Sequence, residues 1–210
     1  MILQATVMKY IPTNAYFYID NETKHGFLID PGAQAGKLLE MIREKGFIIE
    51  RILLTHGHFD HIGAVEEIRK ALNIPVCMQA NGRAYAENPV WNLSAQTEAP
   101  ITLSDVTYLA DYSTVSLAAT SACDLTIIPV PGHTTDGAMY YTAKDGVAFV
   151  GDSIFEGSYG RTDMYGGDEA TLLQNIRDKI LTLPDETILL SGHSGPTTVR
   201  EEKTRPFYQA

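Results

Sequence analysis

The chain has 210 residues, 44% hydrophobic and 20% charged, with a net charge of −10. That composition fits a soluble globular chain expected to form one domain over 1–210, long enough to bury a layered core. The acidic balance argues against a nucleic-acid partner or a membrane partner, because both need a basic footprint.

The first residues, Met1 to Val7, carry neither a basic stretch nor a long apolar run. No signal peptide and no membrane span are expected. Cys77 and Cys123 are far apart and in no recognisable spacing. Both read as buried small residues, and a reduced cytoplasm is the expected compartment.

Residues 2 to 8 alternate as a strand, and Asn14 to Asp20 makes a second, aromatic one. His25 to Asp30 pairs back onto it as a hairpin, broken by Pro31-Gly32. Leu38, Leu39, Met41 and Ile42 recur at helical spacing, with Gly46 as the C-terminal cap. A strand at Arg51 to Leu54 follows, then a helix with Ile62, Val65, Ile68 and Leu72 on its buried face. Another strand begins at Pro75. This strand-helix-strand alternation is the α/β signature.

Residues 79 to 123 read as an irregular excursion, with short strands near 106 to 109 and 114 to 118. A long excursion of this kind often lies over an active site. Leu125 to Val130 is a buried strand. Met139 to Thr142 and Val147 to Val150 form a hairpin about Ala143-Lys144-Asp145-Gly146. Asp168 is the expected N-cap of a helix through Leu172, Leu173, Ile176 and Ile180, ended before Pro184. Thr187 to Ser191 is the last strand, and a short helix follows Thr198.

Four of these strands run into metal-ligand residue types. Leu54 leads into Thr55-His56-Gly57-His58-Phe59-Asp60-His61, Val130 into His133, Val150 into Asp152, and Leu190 into His193. Each lone residue has a plain alternative, such as a solvated loop histidine or a turn-capping aspartate. Five of the six histidines at equivalent strand ends are harder to explain that way, and only His25 falls outside the pattern. Five imidazoles and two carboxylates exceed the four ligands of one zinc and suit two metals sharing a bridge, for which Asp152 offers two oxygens.

The motif His56-x-His58-x-Asp60-His61 with His133, Asp152 and His193 resembles the binuclear site of the metallo-β-lactamase fold. The resemblance covers nearly the whole chain, from Asp30-Pro31-Gly32 to Gly192-His193. It implies an αββα sandwich, two mixed β-sheets flanked by helices. It also implies that His56, His58 and His133 hold one metal, that Asp60, His61 and His193 hold the other, and that Asp152 bridges them. Asp30 would support a ligand from outside. The implied cofactors are two divalent ions, zinc first, with iron or manganese admitted by the same donors.

Within the family, the lactamases proper lack the bridging aspartate and are usually secreted, and the diiron oxygen reductases carry glutamate where His58 stands. The RNA-processing branch carries extra binding segments for which an acidic 210-residue chain has little room. Gly157 to Asp163 with Gly166-Gly167-Asp168 resembles the glyoxalase II branch and its persulfide dioxygenase relatives. There a basic residue matching Arg161 contacts the carboxylate of glutathione; Arg161 could equally form a loop ion pair with Asp163. Asp163 itself replaces an aromatic residue of that branch, and the C-terminal helical domain of the longer enzymes has no counterpart here.

The implied activity is hydrolysis of a small-molecule thioester such as S-lactoylglutathione, with Asp60 binding metal and orienting a bridging hydroxide. The alternatives are a mono-iron dioxygenase on His56, His133 and Asp152, hydrolysis of a lactone or phosphoester, or a metal-binding scaffold without activity.

Overall fold

The computed structural model describes residues 1–208. The first sheet is built from β1 (Ile2–Met8), β2 (Pro12–Ile19), β3 (His25–Ile29), β4 (Ile48–Leu53), β5 (Val76–Gln79) and β6 (Val106–Leu109), in that order across the sheet. The first two pairings are antiparallel and the last three parallel. Between β3 and β4 lies α1 (Ala35–Lys45), after β4 come α2 (Phe59–Ile62) and α3 (Val65–Leu72), and α4 (Arg83–Ala86) follows β5.

The second sheet uses β7 (Thr114–Val115), β8 (Leu125–Pro129), β9 (Ala138–Thr142), β10 (Val147–Gly151), β13 (Ile188–Ser191) and β14 (Thr197–Thr198). Its one parallel pairing joins β10 to β13. A two-residue ribbon, β11 (Ile154–Phe155) with β12 (Ser158–Tyr159), projects beyond β10. Helix α5 (Glu169–Asn175) continues into a π-helical turn at Ile176–Ile180, and α6 (Val199–Lys203) closes the second layer.

Alternation along the strands produces the four layers. In β2, Tyr16 and Tyr18 face Phe149 of the other sheet, at ring-centroid distances of 5.5 and 5.8 Å, whereas Ala15, Phe17 and Ile19 face the α1 and α3 side. In β10, Val147 and Phe149 point into the seam between the sheets, while Ala148 and Val150 meet Leu172 and Ile176. Central strands are thus buried on both faces, which is why they read as apolar runs. The expected αββα sandwich of two mixed sheets is what the chain forms.

Most expected elements are present with shifted ends. Gly46 caps α1 with a positive φ, Asp168 caps α5 by accepting from the Thr171 amide at 2.7 Å, and Thr198 with Glu201 makes a capping box for α6. The strand expected from Arg51 begins at Ile48, and the one expected over 114–118 stops at Val115. The latter ends early because the amides of Ala118 and Ala119 turn to the Glu50 carboxylate instead of a neighbouring strand. Both cysteines are free and buried. No helix among the described residues is long and apolar enough to cross a membrane.

Candidate metal centre

The four strand ends converge at one rim of the seam. From the first sheet, β4 passes through Thr55 and delivers His56 and His58, and α2 carries Asp60 and His61. From the second sheet come His133 after β8, Asp152 after β10, and His193 after β13. His56, His58, His61, His133 and Asp152 are buried, and His193 is the most accessible of the seven.

One donor set is His56, His58 and His133; a second is Asp60, His61 and His193. In the first, the Nδ1 of His58 lies 3.1 Å from Nε2 of His56 and 3.0 Å from Nε2 of His133. A tetrahedron with ~2.1 Å metal–nitrogen arms has edges of roughly 3.4 Å, so three nitrogens at this spacing fit one cation with little adjustment. In the second set, Nε2 of His193 lies 3.1 Å from Oδ2 of Asp60 and 3.4 Å from Nε2 of His61. Asp152 reaches both: Oδ1 is 3.3 Å from His61, and Oδ2 is 3.2 Å from His193 and 3.6 Å from His133. The seven residues picked out in the sequence are therefore brought together, with Asp152 between the two sets.

The outward ring nitrogens show how the imidazoles are aimed. His61 Nδ1 lies 3.0 Å from Oδ2 of Asp30, His133 Nδ1 2.6 Å from the Arg161 carbonyl, and His193 Nδ1 2.8 Å from the Pro12 carbonyl. Each acceptor fixes the Nδ1–H tautomer and leaves Nε2 free to ligate. His56 Nδ1 faces Thr55 Oγ1 at 3.3 Å, and that hydroxyl donates to Asp30 Oδ2 at 2.6 Å. Asp30 also accepts from the Thr55 amide at 2.8 Å. One carboxylate thus orients His61 directly and His56 through a hydroxyl.

The electrostatics call for cations. Burial, then the neighbouring imidazoles, holds His56 well below its usual range, and burial with His133 takes His58 down to about 3. Both stay neutral, as ligands must. Burial would lower His61 as well, but Asp152, Asp60 and Asp30 outweigh it and hold that ring well above its usual range. His193, despite its burial, is drawn up to about 10 by Asp152 and Asp60. Protons on these two rings balance the carboxylates where metal charge would otherwise do so. Oδ1 of Asp152 and Nε2 of His58 are buried without a hydrogen-bond partner, and an open valence on the bridging carboxylate is what a metal site leaves. The donors fit a pair of divalent ions.

Close backbone approach keeps the two sets together. A Cβ at Gly192 would collide with Asp152 Oδ1 and come within 2.6 Å of Cε1 of His61. Asn14 ties β2 to the His193 loop by donating to the carbonyls of Ser191 and Ser194 at 3.1 and 3.0 Å.

The sequence matches the metallo-beta-lactamase superfamily model over residues 9–193. The chain belongs to the metallo-beta-lactamase superfamily. It is 36% identical to the probable metallo-hydrolase YqgX of Bacillus subtilis, over 94% of this chain and 92% of that relative. It is 30% identical to the hydroxyacylglutathione hydrolase GloC of Haemophilus influenzae, over 95% and 97%. Among solved structures, the BLEG-1 B3 metallo-beta-lactamase superposes with a TM-score of 0.91 at 36% identity, covering 100% of both chains. A di-iron-bound form of TTHA1623 gives 0.83 at 30%, covering 98% and 99%. The superfamily makes this chain a metallo-hydrolase.

A cavity of about 730 Å³ opens over the donors, lined by His58, Asp60, His133, Asp152 and His193 on its floor and by Phe59, Leu93, Phe155, Tyr159 and Met164 on its walls. Leu93, Gln96 and Thr97 bring the 79–123 excursion to its edge, as expected. Arg161 lines it too, but its guanidinium is held by Asp163 through two bonds of 2.6 and 2.7 Å. The ion pair and the place at the cavity wall are both realised. His25 lies elsewhere, 2.6 Å from Glu50.

Thr55, Asn14 and the Pro12 and Arg161 carbonyls carry roles that the motif did not reveal. Backbone acceptors leave no trace in residue type, and Thr55 is marked only by its place before His56. Asp136, fully buried beside Gly57, also carries no motif.

Proposed function

We propose that the chain is a thioester hydrolase acting on an acyl-thiol conjugate of the S-lactoylglutathione kind. The observation that carries this reading is the position of Asp152 between two complete donor sets beneath an apolar-walled cavity. Bound in those sets, two divalent ions, zinc first, would lower the pKa of a shared water from 15.7 towards ~7 and polarise the substrate carbonyl.

The chain's own contribution is positional. Asp60, with Oδ2 at the cavity floor, accepts a hydrogen bond from the attacking oxygen and aims its lone pair at the carbonyl carbon. Asp30 and Thr55 hold the rings of His61 and His56 so that neither turns when substrate enters. Phe59, Phe155 and Met164 exclude bulk water from the scissile bond. Arg161 receives a carboxylate of the thiol portion by leaving Asp163. A thiolate departs without a strong general acid, and no lysine or cysteine lines the cavity among the described residues. The name of the GloC relative supports the glutathione conjugate as the first substrate to try.

The test is turnover of S-lactoylglutathione by metal-loaded protein, together with metal analysis. Thiol release with about two ions per chain supports the reading; oxygen consumption with a glutathione persulfide and no thiol release replaces it with the mono-iron oxygenase. A second reading, opening of a β-lactam ring, is favoured by the likeness to BLEG-1 at 36% identity. Hydrolysis of a chromogenic cephalosporin faster than any thioester would put that reading first.

A further inference from the structure

A second chamber, of about 430 Å³, adjoins the catalytic cavity. Tyr10, Ile11, Phe59, Asp60 and Thr97 line both spaces, so the two share one wall that includes a donor of the second set. In that wall Tyr10 and Phe59 stand edge to face, with ring centroids 5.9 Å apart, and Tyr10 is 43% exposed. Beyond them most of the surface is apolar, from Ala33, Ala35, Ala64, Ala99 and Ile101, with Gln34 the uncharged polar side chain among them. Its two rim charges, Lys9 and Glu67, are of opposite sign, and the Lys9 ammonium sits over the Tyr10 ring.

Small residues keep this chamber open, for two different reasons. At Gly32 and Gly63 a Cβ would strike the carbonyls of Asp60 and Gly32, so the Pro31-Gly32 turn can pack on α2 only without side chains. At Gly36 no such need exists. A Cβ there would meet nothing within 4 Å, its φ is not positive, and glycine in the first turn of α1 is a poorer helix former than alanine. Neither packing nor backbone asks for glycine at 36. An open chamber does.

Arg161 lines the catalytic cavity but not the chamber. Tyr10 and Phe59 line both spaces, so an acyl portion that lies against them in the catalytic cavity has the chamber beside it. A lactoyl group is spent within the catalytic cavity and leaves the chamber unused. Resting on the thioester reading above for the carbonyl's position, we propose that the chamber is the acyl subsite, and that it takes an uncharged linear aliphatic chain of medium length.

The experiment compares acetyl, lactoyl and octanoyl thioesters of glutathione with metal-loaded wild type, Gly36→Ala and Gly36→Leu, each checked for native circular dichroism. The wild type is expected to favour octanoyl over lactoyl in kcat/KM. Gly36→Leu, which adds a large side chain at the chamber lining, should lose about tenfold of that preference, the worth of roughly two buried methylenes. Gly36→Ala should keep most of it. Equal kcat/KM for all three acyl groups, or a full octanoyl preference in Gly36→Leu, would overturn the subsite.

Calorimetric binding of acetate and octanoate to the same proteins separates this outcome from failure of the hydrolase reading. Tighter octanoate binding that is lost in Gly36→Leu supports the chamber even where no thioester is cleaved. Thioester cleavage with no chain-length effect in either measurement leaves the hydrolase and removes the subsite.

Discussion

Oδ2 of Asp30 lies 3.0 Å from Nδ1 of His61, on the side of the ring turned away from the other donors. Asp30 sits at the end of β3 with φ of 50°, a conformation that asparagine also adopts readily. Asp30→Asn therefore keeps the backbone but exchanges the negative charge behind His61 for a neutral amide. Metal affinity should fall by about 10- to 100-fold, as when such supporting acceptors are removed elsewhere. Competition with a chromogenic chelator measures it, and an affinity equal to wild type would mean that Asp30 only ties down Thr55.

Asp152→Ala removes the carboxylate that lies between the two donor sets. The variant should bind at most one of about two ions and lose nearly all hydrolysis. Elemental analysis after gel filtration gives the stoichiometry. Two retained ions with wild-type turnover would refute the bridging role.

The Arg161–Asp163 pair makes opposite predictions for its two members. Arg161 holds the Asp163 carboxyl down at about 2, and both side chains are exposed. Exposed pairs are weak, so a substrate carboxylate can displace Asp163 at little cost. Asp163→Asn should lower KM for a glutathione thioester by up to about fivefold, and Arg161→Ala should raise it, with kcat little changed in either case. Initial rates at low and high salt would show it; KM values unmoved by both changes would leave the pair a purely structural feature of the loop.

Asp136 supplies a pH signature. Burial pushes its carboxyl up to about 7, outweighing the Thr134 side chain and the backbone amides of Asp136 and Gly57, which pull it down. Because the folded value exceeds the ordinary 3.8, the folded chain keeps a proton that the unfolded chain has released between about 4 and 7. The associated stability is complete below about 4 and is lost as pH rises through 7. Asp136→Asn should remove that loss, gaining on the wild type by at most about 4 kcal/mol between pH 4 and 8. Urea midpoints of the metal-free proteins test it, and a difference that is the same at pH 4 and pH 8 would refute it.

Much of this was legible in residue order. Strands buried on both faces announce themselves as apolar runs, so Phe27 to Ile29 and Ala148 to Val150 could be placed without coordinates. The donors could be found because each follows such a run directly. What could not be read is chemistry carried by the backbone: the Pro12 carbonyl behind His193 and the Arg161 carbonyl behind His133 would serve equally with other side chains at those positions. Arg161 was ambiguous for a related reason. Its guanidinium pairs with Asp163 two residues away while still facing the cavity, and spacing alone reveals only the first.

The seam between the sheets has a consequence for how this protein fails. His56, His58, Asp60 and His61 hang from the first sheet, and His133, Asp152 and His193 from the second, so neither sheet owns a complete donor set. Bound ions would therefore act as rivets across the sandwich, and separating the layers would release them. A truncation in the seam at a residue that is not a donor, such as Phe149→Ala against Tyr16 and Tyr18, would be felt as weakened metal retention as well as a lower melting point. Chelation, by the same linkage run backwards, would loosen the grip of one sheet on the other.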